Sequence, residues 1–152
     1  MSSGIGLSRQ KIERAIREYF SACNAADYKR LVDCFTSDAV HYFPAGSPFG
    51  AFRGADAIAR GWIDCVNRFG SQWTIDDMLV DVDESRAVIE WTHFQPKLNR
   101  YVRGDEWYLF DDKGLIREIR AYYACPASRD QSHELGQYPY TERSYALKPP
   151  RG

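Results

Sequence analysis

The sequence predicts a single α+β domain, in which three helices pack on a curved, mainly antiparallel sheet. Over roughly the first 70 residues, most apolar positions recur at steps of three and four, as on amphipathic helices. From about residue 73 to 125, β-forming residues and turn residues follow one another without a helical period. Segregation of helices and strands is typical of α+β domains. A curved sheet with helices across its mouth makes a cone that encloses a pocket.

The three predicted helices each have an apolar stripe and recognisable ends. The first runs from about 9 to 24, after Ser8, a residue that favours the N-cap position. A short second helix follows Asp27, another N-cap residue, and places Phe35 on its apolar face. The third runs from about 55 to 69 and ends at Gly70, a usual C-terminal stop.

Of the five predicted strands, one precedes the third helix in the sequence and four follow it. The stretch from Pro44 to Gly54, just before that helix, is predicted to be a loop because it contains two prolines and several glycines. Residues 111 to 114 (DDKG) form a predicted hairpin turn. The five predicted strands are 39–43, 73–83, 86–94, 101–110 and 115–124.

The length of 152 residues fits one domain. We expect a flexible N-terminus over residues 1–8 and a folded domain over 9–125. Residues 126–152 lose the regular period and carry several tyrosines, which predicts a C-terminal tail that is partly docked.

Charge and hydropathy exclude several classes of function. Lys and Arg total 20 against 21 Asp and Glu, a net charge of −1, so no basic excess favours nucleic acid. No apolar run approaches the length that spans a membrane. The first ten residues lack an apolar signal core, so we expect a cytoplasmic protein.

Neither metal nor cofactor is predicted. The sequence has three histidines and no HExxH spacing. Its four cysteines, Cys23, Cys34, Cys65 and Cys125, form no CxxC pair and are expected to be reduced thiols.

Several local segments, in this order, resemble the NTF2-like superfamily and its SnoaL-like branch. The segments are 19–27 (YFSACNAAD), 31–43 (LVDCFTSDAVHYF), 52–54 (FRG) and 107–123 (WYLFDDKGLIREIRAYY). The resemblance covers about residues 9–125. It implies the cone-shaped fold but specifies chemistry poorly, because the superfamily includes ketosteroid isomerases, polyketide cyclases, scytalone dehydratase, epoxide hydrolases and noncatalytic transport and dimerisation modules.

The resemblance to ketosteroid isomerases implies roles for three residues. Tyr19 matches the oxyanion-hole tyrosine, and Glu106 matches the protonated carboxylic acid that shares that hole. Phe43 stands where those enzymes have their aspartate base, which argues against simple ketosteroid isomerase chemistry. A core tyrosine bonded to the backbone is the structural alternative for Tyr19.

Two histidines lie on predicted core strands and are candidates for the missing base. His41 alternates with Phe43 and so shares its face, and His93 shares a face with Trp91. Histidine moves protons readily near neutral pH. The resemblance to scytalone dehydratase, which has a catalytic histidine in a comparable central strand, adds weight to His93. The alternative for both is a histidine satisfied by neighbouring groups.

Glu106 lies on the same face of its strand as Tyr108 and Phe110. If that face points inward, the carboxyl is desolvated and can act as an acid or hydrogen-bond donor. The alternatives are an ion pair with Arg103 or exposure to solvent. The aromatic residues expected to line the substrate pocket are Phe43, Trp62, Trp91, Tyr108, Phe110 and Tyr123.

The outer face of the sheet is expected to carry Arg103, Glu118 and Arg120. Alternating charges suit a self-complementary two-fold contact, and the superfamily often forms dimers through this face. A homodimer is therefore expected, with solvated surface charges as the alternative.

These features favour a small cofactor-free enzyme that acts by proton transfer on a compact cyclic or aromatic carbonyl compound. The reaction would be an isomerisation, cyclisation or dehydration through an enol, with Tyr19 and Glu106 holding the oxyanion and His93 or His41 as base. The alternative is a noncatalytic module of the same fold that binds an apolar ligand or dimerises. An epoxide or ester hydrolase ranks last, because no Asp-Arg-Asp set falls on inward positions.

Overall fold

The computed structural model describes residues 6–47, 49–124, 135–145, 147–148 and 150. Its helices are α1 (Arg9–Ala25), α2 (Tyr28–Asp33) and α3 (Ala55–Phe69), with a single 3₁₀ turn over Pro96–Leu98. Its strands are β1 (Phe35–Tyr42), β2 (Phe52–Arg53), β3 (Gln72–Asp81), β4 (Arg86–Gln95), β5 (Arg100–Phe110) and β6 (Ile116–Tyr123).

The six strands form one open, mixed sheet in the order β2-β1-β6-β5-β4-β3. Strands β1 and β6 pair in parallel, and the other neighbours pair antiparallel. The three helices pack on one face of this sheet, here called the inner face, and the main core lies between the two layers. The α+β class predicted from the sequence is confirmed.

The helix ends follow the predicted signals. The Ser8 side chain accepts a hydrogen bond from the Lys11 amide, and Asp27 accepts one from the Arg30 amide. These contacts satisfy backbone donors that the first turn of a helix leaves unpaired. Gly70 ends α3 with a positive φ of 67°.

Two details of the first half correct the sequence-based prediction. Phe35 belongs to β1 and not to the face of α2, because it pairs with Ile116 and fills the core while α2 ends at Asp33. The predicted loop before α3 contains the short edge strand β2, whose residues pair with Val40 and His41. The predicted flexible N-terminus lies outside the described residues at positions 1–5, whereas Leu7 is buried in the core.

The outer face of the sheet is partly covered by the chain itself. Residues 135–145 pack over β1 and β6, and Leu135 and Tyr138 bury Tyr42 there. The outward-facing pair Glu118 and Arg120 is consequently buried and not solvated.

Arg143 closes this contact with two hydrogen bonds to Glu118, at 2.6 and 2.8 Å. Its guanidinium also lies 4.7 Å from the centre of the Tyr138 ring. The Glu118 carboxylate thus has charged partners on both sides, since Arg120 approaches it at 3.2 Å.

None of the helices within the described ranges combines the length and the apolarity needed to cross a membrane.

Substituting Arg143 by Met should destabilise the fold, because it leaves a nearly buried carboxylate with one cation instead of two. We expect the free energy of unfolding in urea at neutral pH to fall by about 1–3 kcal/mol. Arg117→Met is the matched control, since Arg117 is exposed on the same strand. Equal stability of the two variants would show that the hydrogen bonds from Arg143 to Glu118 contribute nothing.

Candidate functional site

A small cavity lies inside the domain, between the inner face of the sheet and α3. Its sheet residues come from four neighbouring strands: Trp73, Trp91, His93, Glu106, Ala121 and Tyr123. Trp62 of α3 and Phe49 of the loop after β1 complete the wall. The remaining volume is about 10 Å³, roughly the room that one water molecule requires.

Glu106 is the carboxyl group in this wall. It is 6% exposed, and the Tyr108 hydroxyl donates a short hydrogen bond to its Oε2 atom. The alternation of β5 places both residues on the inner face, two positions apart. A buried carboxyl needs such partners, because transfer from water without them is strongly unfavourable.

His41 approaches the same carboxyl from β1, on the same inner face and on the other side of β6. Its Nε2 atom lies 3.6 Å from Glu106 Oε1, too far for a hydrogen bond but close enough for a proton to pass after a small movement. The strand between them contributes Ala121, which is opposite Glu106 and leaves space for this approach.

The His41 ring is held by aromatic neighbours. It stacks on Phe43 with ring centres 4.2 Å apart, and the Trp62 ring meets it edge-on at 5.2 Å. The imidazole is fully buried, and neither of its nitrogens has a hydrogen-bond partner among the described residues. The predicted sharing of a face by His41 and Phe43 is confirmed.

Tyr19 lies one layer behind the cavity. Its ring packs edge-on against Tyr108 with the centres 6.4 Å apart, and it does not contribute to the cavity wall. Burial raises the pKa of Tyr19 well above its ordinary value, and the nearby Cys23 and Glu106 add to that shift. Burial likewise raises the pKa of Tyr108, with Glu106 adding to it. Both hydroxyls therefore keep their protons and can donate them in hydrogen bonds.

His93 lies in the wall at the other end of the cavity. Its Nε2 atom is 2.7 Å from the Ser71 hydroxyl, and its ring stacks on Trp73 with centres 4.5 Å apart. Burial, with a smaller contribution from the charge of Arg100, lowers the pKa of His93 to about 4. The imidazole is therefore neutral near pH 7 and is a weak base there.

The predicted site residues occupy two positions relative to the cavity. The residues that line it are Trp62, Trp91, His93, Glu106 and Tyr123. Those that hold the lining residues from behind are Tyr19, His41, Phe43, Tyr108 and Phe110. Their catalytic or binding roles stay predictions.

Sequence reasoning missed Phe49, Ser71, Trp73 and Ala121. Trp73 had a usable signal, because the strand that begins with it pairs antiparallel with the strand of His93 and the two residues fall opposite each other. The other three carry no chemical pattern in the sequence.

The site has the parts needed for acid–base chemistry in a dry surrounding. A carboxyl group, two imidazoles and two buried tyrosine hydroxyls lie in or directly behind one aromatic wall. Within the described ranges, no group of three or more His, Cys, Asp or Glu side chains is placed to hold a metal ion. Cys23, Cys34 and Cys65 are free thiols, and Cys125 lies outside the described residues.

The low pKa of His93 predicts a specific pH dependence of stability. Its pKa lies below the ordinary 6.5, so the unfolded chain binds the proton more tightly and stability falls as the pH decreases from about 6.5 to 4. His93→Gln removes the titrating group, and its amide can still bond to Ser71. Across that pH range, we expect the free energy of unfolding of the variant to fall by less than that of the unchanged protein. The difference is on the order of 3 kcal/mol. Parallel pH profiles from urea unfolding would contradict this.

The chain matches the model of one domain family and resembles known protein structures. The family model described as the SnoaL-like domain matches residues 16–119. A protein of unknown function with a cystatin-like fold from Methylobium petroleophilum PM1 is 46% identical, with a TM-score of 0.91 and coverage of 97% of this chain and 98% of that one. No curated protein sequence matches the chain.

Two more distant structures share the fold. A protein provisionally assigned as a ketosteroid isomerase from Kribbella flavida has a TM-score of 0.66 at 15% identity, covering 78% of this chain and 82% of that one. An LEH-like epoxide hydrolase from M. tuberculosis has a TM-score of 0.62 at 20% identity, covering 75% of this chain and 83% of that one. With residues 16–119 matched and the fold shared, the chain belongs to the SnoaL-like domain family.

Proposed function

We propose that this protein is a cofactor-free enzyme that transfers protons on a compact cyclic or aromatic carbonyl compound, as an isomerase, cyclase or dehydratase. The observation that carries this proposal is the placement of Glu106 Oε1, which faces the His41 Nε2 at 3.6 Å inside an aromatic enclosure. Members of this fold family include isomerases and cyclases, and the fold alone does not choose among them.

Glu106 is the base in this proposal. Its carboxyl lines the cavity, and the Tyr108 hydroxyl donates a hydrogen bond to its Oε2 atom, which holds the carboxyl with Oε1 beside His41. His93 is the weaker candidate, because its Nε2 atom is already hydrogen-bonded to the Ser71 hydroxyl at 2.7 Å, whereas Glu106 has a second oxygen, Oε1, beside His41. This choice reverses the roles expected from the resemblance, in which Glu106 was a donor and a histidine was the base.

The proposed reaction conserves its proton. Glu106 removes a proton from the carbon next to the carbonyl, and the electron pair of that C–H bond moves to the oxygen as an enolate. In an isomerisation the carbonyl re-forms and the proton returns to another carbon. In a dehydration the enolate forms a carbon–carbon double bond as the C–O bond to a β-hydroxyl breaks, and the hydroxyl leaves with the proton as water. His41, in contact with Glu106, can store or pass on the proton between the two steps.

Substrate entry requires a movement of Phe49. The cavity of about 10 Å³ is too small for a ring compound. Phe49 is the cavity residue that lies outside the helices and strands, and it packs against Phe43 and Phe52 at ring distances of 5.5 and 6.1 Å. Turning this side chain outward enlarges the cavity without breaking a strand.

Glu106→Gln should abolish proton transfer while keeping the fold. The probe is 2-tetralone, a bicyclic aromatic ketone, whose α-hydrogens are followed by proton NMR as they exchange in D₂O. We expect the unchanged protein to accelerate exchange and the variant to lower its rate about 100-fold or more, since the amide is not a base.

Asp105→Asn is the matched control. Asp105 is the adjacent carboxyl, and the alternation of β5 places it on the opposite face of the sheet. Its exchange rate should stay within a few-fold of the unchanged protein. Exchange that persists in folded Glu106→Gln, or that falls equally in both variants, would overturn the proposal.

The alternative is a noncatalytic module that binds an apolar ligand. Two observations favour it: the small volume of the cavity and the presence of Phe43 where ketosteroid isomerases have an aspartate. Saturable binding of 2-tetralone without any exchange would support this function over the enzyme.

A second copy of the chain is the partner proposed for the outer face of the sheet. Residues 135–145 leave β3, β4 and β5 uncovered. An open groove there has Leu79 and Trp107, 69% and 38% exposed, among its lining residues. Flat apolar faces rimmed by charge suit isologous dimers.

In sedimentation equilibrium the unchanged protein should be a dimer and Leu79→Glu mainly a monomer, whereas Arg60→Glu on α3 should stay a dimer. A monomeric unchanged protein would contradict this.

A further inference from the structure

Two buried hydrogen-bond donors in the cavity wall are not used by the proposed proton transfer. The indole N–H groups of Trp62 and Trp91 are both inaccessible to solvent, and neither has a partner among the described residues. The two side chains are only 5% and 3% exposed. A buried donor without an acceptor is destabilising, because it has lost its hydrogen bond to water, so a protein rarely keeps two in one place without a use.

Both rings are fixed by the fold. Trp62, on α3, packs edge-on against His41 and Trp73 at 5.2 and 5.4 Å. Trp91, on β4, packs edge-on against Tyr123 at 5.7 Å and lies over Gly104. A Cβ atom at position 104 would lie 2.8 Å from Trp91 Cζ2, so the absence of a side chain there is what admits the indole.

The chemistry of the pair restricts what it can bind. An indole nitrogen donates one hydrogen bond and accepts none. The two indoles line one cavity together with Glu106, from opposite layers of the domain. A ligand that satisfies both must present an acceptor, and the carboxyl of Glu106 lines the same cavity.

We propose that Trp62 and Trp91 bind the oxygen of the ligand jointly, so that the site selects compact cyclic ketones over hydrocarbons of the same shape. The same two donors would hold the negative oxygen of an enolate. They would then form the oxyanion hole that the family resemblance assigned to Tyr19 and Glu106. This assignment rests on the proposed function for the role of Glu106, but the binding itself needs no turnover.

The test uses two ligands that differ only in the acceptor, cyclohexanone and methylenecyclohexane. Each is titrated into the full ¹⁵N-labelled protein while the indole resonances of the four tryptophans are followed. Cyclohexanone should move the Trp62 and Trp91 resonances downfield and leave Trp107, on the outer face, unchanged. Trp62→Phe and Trp91→Phe should each weaken cyclohexanone binding about 2- to 10-fold and leave methylenecyclohexane binding unchanged.

The same titrations are repeated in Phe49→Ala, in which the cavity is enlarged from the loop side. This variant shows whether slow entry of the ligand limits binding to the unchanged protein. Equal affinity for the two ligands, or cyclohexanone binding that leaves both indole resonances in place, would overturn the proposal. Absence of cyclohexanone binding in both the unchanged protein and Phe49→Ala would overturn it as well. Loss of exchange in Glu106→Gln is scored separately, so a failure of the indole pair is distinguishable from a failure of the enzyme proposal.

Discussion

The burial of one carboxyl group among aromatic rings is the constraint on which the rest of the site depends. Glu106 lies on the inner face of the sheet, where an unpartnered carboxylate would be strongly destabilising. The hydrogen bond from the Tyr108 hydroxyl offsets part of this unfavourable burial. Tyr108 is in turn held by Phe110, which stacks on it, and by Tyr19, which packs edge-on against it. Aromatic side chains therefore hold the one carboxyl of the cavity wall in place.

Strand order turns this buried group into a possible reaction centre. The parallel pairing of β1 with β6 places His41 beside Ile119, and β6 in turn pairs with β5, so His41 and Glu106 are separated by one strand. The small side chain of Ala121 lies opposite Glu106 on that strand. A larger side chain there would fill the space through which imidazole and carboxyl approach each other.

Much of the fold follows from local patterns, because helix caps and strand alternation act over a few residues. The shared faces of His41 with Phe43 and of Glu106 with Tyr108 follow from a period of two. The hydrogen-bond partner of Glu106 does not, because the resemblance placed Tyr19 and Glu106 in one oxyanion hole but named no donor to the carboxyl, which is Tyr108. Position alone could not show which hydroxyl reaches the carboxyl.

Long-range pairing was the part of the structure that the sequence left open. Nothing local marks the parallel contact of β1 with β6, which joins residues about 80 positions apart. The prediction of a partly docked tail did not say where it docks, since an alternation of charged and apolar residues looks the same whether the charges of Glu118 and Arg120 meet water or Arg143. The two faces of the sheet therefore differ: ion pairs with the docked segment lie on the outer face, and the aromatic cavity lies on the inner face.

The two proposals together place a carbonyl compound in the inner cavity, with its oxygen at the indoles and its α-carbon at Glu106. A crystal structure of the protein with cyclohexanone shows whether a ketone binds there in this way. We expect the ketone inside the cavity with Phe49 displaced, its oxygen within hydrogen-bonding distance of Trp62 Nε1 and Trp91 Nε1. A ketone seated on the outer face of the sheet, or one inside the cavity with its oxygen turned away from both indoles, would contradict it.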